Sequence, residues 1–179
     1  ALVVMHFHEA FHGRSGYTLS LTNTDRTKIE LYPKFDWPRI FNPKVEFDLS
    51  GAVIGDPAAD EACAVAEMEA AFERHAGRVA AIIIEPMQGE GGDHHFRSEF
   101  LATLRRLADT HEALLIFDEV QTGFGRTGDH MFGIEHFGVE PDIMTMAKAL
   151  TNGVLPMGAV AVRDSIYDTV IDTAPDGTV

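Results

Sequence analysis

The chain has 179 residues, 45% hydrophobic and 23% charged, a balance that excludes a disordered tail and a collagen-like fibre and leaves enough chain for a packed core. Its 28 acidic residues against 14 basic ones give a formal charge of −14, a field that repels phosphate backbones, so nucleic acid is not an expected partner. The single cysteine, Cys63, cannot close an internal disulfide, and no apolar run approaches the roughly 20 residues that span a bilayer, so a cytoplasmic protein without membrane contact is expected.

Residues 2–7 are apolar and β-prone until Gly13 and Gly16 break the pattern, which predicts a strand running into a functional turn. The aromatics and prolines of residues 32–39 exclude a long helix between 17 and 55 and predict an ordered excursion without regular structure. From Asp56, a capping residue is followed by Pro57 in the first turn, an Ala- and Glu-rich run, and Gly77 as a stop, which predicts a helix. The unbroken apolar run Val79–Ile84 is too short for a typical helix and predicts a strand buried on both faces, ending at Glu85. Phe100, Leu101, Leu104, Leu107 and Ala108 repeat at helical spacing, predicting a helix from Ser98 as cap to about Thr110. Further buried strands are expected at Ala113–Phe117, ending at Asp118, at Asp142–Ala147, ending at Lys148, and at Gly158–Val162, with a short helix from about Asp164. Alternating helices and buried strands predict an α/β domain with a largely parallel sheet, whose ligands bind beyond the carboxyl ends of the strands. Two acids and a lysine, Glu85, Asp118 and Lys148, fall at three such ends and form a candidate site.

Two strings carry chemistry that their surroundings contradict. His8-Glu9-Ala10-Phe11-His12 matches H-E-x-x-H, which needs both histidines on one helical face to bind zinc, yet a strand precedes it and Gly13 and Gly16 follow, so no metal site is assigned. Gly123–Gly128 (GFGRTG) matches the dinucleotide fingerprint, but Gly133, Gly138 and Pro141 interrupt the helix that must follow, and the glycines are better read as permitting a tight loop.

The segments Ile84–Gly92 (IEPMQGEGG), Phe117–Gly128 (FDEVQTGFGRTG) and Pro141–Leu150 (PDIMTMAKAL) together resemble the class III aminotransferases, a fold type I group of pyridoxal-phosphate enzymes. The resemblance implies the large cofactor-binding domain of that fold, a mostly parallel central sheet flanked by helices. It implies an incomplete domain over residues 1–179, with an N-terminal segment and a small C-terminal domain absent. A chain that opens without Met inside a strand, and stops at Thr178-Val179 without a closing element, is likewise expected to be a fragment.

The resemblance also distributes roles. Pyridoxal phosphate draws electrons from an amine carbon while its ring nitrogen is protonated, and a carboxylate, here Asp118, favours that state. A lysine amine, here Lys148, holds the cofactor aldehyde and later moves protons. Gln121 is implied as a partner of the phenolic oxygen, Val120 and Phe11 as ring-facing side chains, and Glu85 as part of the cofactor shell. Arg14 offers a fork for a substrate carboxylate, and Glu90 matches a glutamate that gates a later arginine in relatives accepting ω-amino donors. His8–Thr24, Phe35–Ile40 and Gly91–Arg97 resemble the branch of the family that acts on the terminal amine of L-lysine. By contrast, Met131–Gly133, Phe137–Val139 and Thr151–Val160 resemble the ω-amino acid–pyruvate branch. The expected partners are an amino donor, a 2-oxo acid acceptor and a second subunit in a homodimer.

Overall fold

The computed structural model describes residues 1–174, so the expectation about Thr178-Val179 lies outside the described residues. In chain order the strands are β1 (Val3–Phe7), β2 (Arg39–Ile40), β3 (Glu46–Phe47), β4 (Val53–Ile54), β5 (Val79–Ile84), β6 (Met87–Gln88), β7 (His94–His95), β8 (Leu114–Asp118), β9 (Ile143–Met146) and β10 (Ala159–Val162). The α-helices are α1 (Arg26–Ile29), α2 (Pro57–Arg74), α3 (Ser98–Thr110) and α4 (Asp164–Thr173), with single 3-10 turns at Gly16–Leu21, Gly133–Phe137 and Lys148–Leu150. Six strands form one sheet in the order β10-β9-β8-β5-β1-β2. Every neighbouring pair in it is parallel except β9 and β10.

Local chemistry explains most boundaries. Asp56 accepts from Ala59 N–H at 3.1 Å, and Pro57, whose missing donor costs nothing in the first turn, opens α2. The wholly apolar run of β5 has no polar face to show water, and it sits between β1 and β8. Met5, Phe7, Ile82, Ile84, Leu115 and Phe117 from the sheet join Met68 and Phe72 of α2 and Phe100, Leu101, Leu104 and Leu107 of α3 in one core. Each such fully buried side chain contributes about 1.5–3 kcal/mol.

Three expectations need correction. The start of α3 is Arg97, in extended conformation and without a side-chain capping bond, so Ser98 is the first helical residue rather than the cap. Arg97 instead forks onto Glu61 of α2 at 2.7 and 2.8 Å, tying the two helices together. Residues 17–55 hold short regular pieces, among them β2, which extends the sheet beside β1. The strand expected at Ala113–Phe117 runs one residue later, through Asp118.

Candidate active site

Four adjacent strands run parallel, so β1, β5, β8 and β9 all deliver their carboxyl ends to one edge of the sheet. The segments that leave these strand ends build the site. After β1 the chain turns through Glu9, at φ 63°, and brings His12 back over the edge. His12 Nδ1 lies 2.8 Å from Asp118 Oδ2 at the end of β8, and both residues are buried. Asp118 Oδ1 accepts from Val120 N–H at 3.1 Å. Each carboxylate oxygen is thus engaged once and keeps capacity for another donor. His12 Nε2 is buried and has no hydrogen-bond partner among the described residues.

Glu85, just past β5 and 2% exposed, accepts from Phe11 N–H at 3.0 Å. Burial pushes its carboxyl up to about 7, with Asp118 adding to the rise and His12 and the Phe11 amide opposing it. Lys148 lies two residues past the end of β9 and holds a left-handed backbone, φ 46°, at the head of a 3-10 turn. Although the residue is exposed, partial desolvation of its amine and the nearby Arg126 cation bring its pKa below the usual lysine value, while Asp118, Glu85 and Glu90 pull the other way. The three strand-end residues therefore do share one edge, within electrostatic reach of one another.

The loop after β8 is fastened from inside. Glu119 is fully buried and accepts from the Thr122 hydroxyl, from Gly133 N–H at 3.0 Å and from Ile134 N–H at 2.7 Å. This fixes the stretch carrying Val120, Gln121 and Arg126. Gly123–Gly128 is a loop with Phe124, Gly125 and Gly128 at positive φ, succeeded by the 3-10 turn at Gly133–Phe137. Gln121, Glu90 and Arg126 line a cavity of about 290 Å³, and Arg126 also borders the opening that contains Lys148. A cavity of about 550 Å³ lined by Trp37, Arg39 and Arg74 shares no lining residue with either.

The aminotransferase class III family model matches residues 3–178. The chain belongs to the class III aminotransferases. It is 51% identical to the L-lysine-epsilon aminotransferase of Mycobacterium tuberculosis over 145 residues, 81% of this chain and 31% of that protein. The acetylornithine aminotransferase of Methanocaldococcus jannaschii is 41% identical over 91% of this chain and 35% of its own length. Among solved structures, lysine aminotransferase from M. tuberculosis in the internal aldimine form superimposes with a TM-score of 0.81 at 46% identity, covering 93% of this chain and 37% of that one. An (S)-enantioselective omega-transaminase from Thermomicrobium roseum gives 0.85 at 31% identity, covering 99% and 39%. The chain spans about a third of the length of the curated relatives it matches.

Other residues of this aminotransferase edge differ in how freely they can meet a ligand. Phe11 is half-buried, its backbone held by Glu85. Arg14 is exposed and has no carboxylate partner among the described residues, whereas Glu90 is paired with Lys28 at 2.7 Å. Neither His12 nor Glu119 is among the site residues expected from the sequence. His12 lies inside the H-E-x-x-H string, and its use is different: His8 is exposed, the string is not helical, and His12 serves Asp118. The donor set suits pyridoxal phosphate. A depressed amine, a buried carboxylate with spare acceptor capacity and the unpartnered His12 Nε2 lie on one edge, and no step of the fold consumes them.

Proposed function

We propose that the protein is a cytoplasmic, homodimeric, pyridoxal-phosphate-dependent aminotransferase that moves the terminal amino group of L-lysine to a 2-oxo acid such as 2-oxoglutarate. The observation that carries this reading is the meeting of Lys148 and Asp118 at one sheet edge in a chain 51% identical to L-lysine-epsilon aminotransferases. When bound, the cofactor supplies an electron sink for the carbon that bears the reacting amine. Lys148 would hold it through its amine, and the lowered pKa leaves a larger share of that amine neutral and nucleophilic near neutral pH. Once released, the same Nζ can take and return a proton. Asp118 would keep a proton on the ring nitrogen, with His12 and Val120 N–H fixing the carboxylate's direction. Phe11 and Val120 would cover the ring and exclude water, Gln121 would reach the phenolic oxygen, and Glu85 would steady Phe11. Arg14, exposed and fork-shaped, would bind the donor's carboxylate.

The test is a donor panel with borohydride trapping. L-lysine with 2-oxoglutarate is expected to outpace β-alanine with pyruvate, the reduced cofactor is expected on Lys148, and Lys148→Ala is expected to abolish turnover with an unchanged circular dichroism spectrum. A preference for β-alanine with pyruvate would favour the ω-amino acid branch, in line with the likeness to the omega-transaminase. Wild-type turnover in Lys148→Ala would overturn the assignment altogether.

A further inference from the structure

Arg39 of β2 is a half-buried cation held only by neutral groups. Its Nε donates to His6 Nε2 at 3.1 Å and its Nη2 to the Ser20 carbonyl at 3.2 Å. His6 is buried, and burial, with the Arg39 charge beside it, lowers its pKa to about 3, so the ring is neutral and offsets none of the guanidinium charge. No carboxylate pairs with Arg39 among the described residues, and a cation withdrawn from water without a counter-charge is costly. Arg39 lines the cavity of about 550 Å³, and Lys34 and Arg74 line it too, likewise without a carboxylate partner among the described residues. Lys34 Nζ donates only to carbonyls, of Ile29 at 2.6 Å and of Tyr32 at 3.1 Å. Three cations thus face one space that a single acid, Asp36, borders, in a chain whose formal charge is −14. His75, at the end of α2, adds a buried Nδ1 that has no hydrogen-bond partner among the described residues.

One wall of the cavity is aromatic. Phe35 and Trp37 lie 5.1 Å apart between ring centroids and 13° from parallel, and Tyr17 stacks on Phe35 at 5.0 Å. Phe35 N–H donates to Ser20 Oγ at 2.9 Å, so the residue whose carbonyl holds Arg39 also fixes the wall. We propose that this cavity is a second ligand site, separate from the catalytic edge, which takes a small oxyanion, carboxylate or phosphate, carried on a flat ring. The oxyanion supplies the counter-charge that Arg39 lacks, with Arg74 and Lys34 adding attraction and His75 Nδ1 a hydrogen bond. The ring lies against Phe35 and Trp37. The cavity shares no lining residue with the openings around Gln121 and Lys148, so its occupant is not required to be a transamination substrate.

Trp37 is the chain's one tryptophan, so its emission reads the cavity directly. The 179-residue chain is titrated with phenyl phosphate, benzoate, inorganic phosphate and benzamide. Phenyl phosphate and benzoate are expected to shift the emission saturably, and the tighter of the two identifies the oxyanion. Inorganic phosphate, without the ring, should bind more weakly, and benzamide, without the charge, should not bind. Arg39→Gln and Arg74→Gln are each expected to weaken binding about tenfold, with a smaller loss for Arg39→Lys, which keeps the charge. Arg14→Gln, at the catalytic edge, should leave the titration unchanged. Thermal midpoints check the fold, and Arg74→Gln, at an exposed position, carries the test if Arg39→Gln does not fold. No saturable change with either ring-bearing anion, benzamide binding as tightly as benzoate, or wild-type affinity in Arg74→Gln would overturn the site. A loss in Arg14→Gln equal to that in Arg74→Gln would overturn its separation from the catalytic edge. None of these results bears on transamination at Lys148, which the donor panel tests.

Discussion

Glu85 carries the most consequential titration at the scale of single residues. Its carboxyl moves from the ordinary 4.5 to about 7 because folding removes it from water. Between those values the folded protein keeps a proton that the unfolded chain has released, so stability falls as pH rises from 4.5 to 7 and levels off above. The full drop is about 3 kcal/mol. Glu85→Gln keeps the acceptor for Phe11 N–H but cannot ionise, so urea midpoints at pH 5 and pH 8 should differ less in the variant than in the wild type. An unchanged difference would assign the pH dependence to other groups. The same residue shows what could be read in advance: its place at a strand end was legible, because an apolar run stops there. Pairs such as His12 with Asp118, 106 residues apart, or Lys28 with Glu90 leave no local trace, since only the folded sheet brings them together.

At the scale of elements, legibility tracked length and periodicity. Helix α3 declared itself through apolar residues at helical spacing, α2 through its capping Asp56, first-turn Pro57 and Ala- and Glu-rich run, and β5 through an unbroken apolar run. The two residues of β2 have no period to detect, and the antiparallel run of β10 cannot be told from a parallel strand by composition. The helices also differ in what they hold up. Leu104 of α3 is fully buried, whereas α4 has no buried residue. Leu104→Ala is expected to cost about 2–5 kcal/mol, against less than about 1 kcal/mol for Ile171→Ala, as read from urea unfolding. Comparable losses would mean that α4 is packed in solution against something that covers it.

For the molecule as a whole, one side is left apolar. Val160 and Val162 on the edge strand β10, with Tyr167, Val170 and Ile171 on α4, are exposed, and an edge strand with such neighbours invites pairing with another chain. The 179-residue chain should self-associate with rising concentration in sedimentation, and Val160→Lys should shift it toward monomer. Insensitivity to that change would place the association elsewhere. The opposite consideration applies to the sheet edge where the chemistry gathers. Lys148 keeps a left-handed backbone that costs a side-chain-bearing residue about 1–2 kcal/mol, and glycine adopts it freely. Lys148→Gly, expected to be inactive under the proposed function, should therefore melt above Lys148→Ala and at or above the wild type. Under the proposed transamination, the strain at Lys148 is a cost that a chain relieved of that role would shed by giving up this lysine.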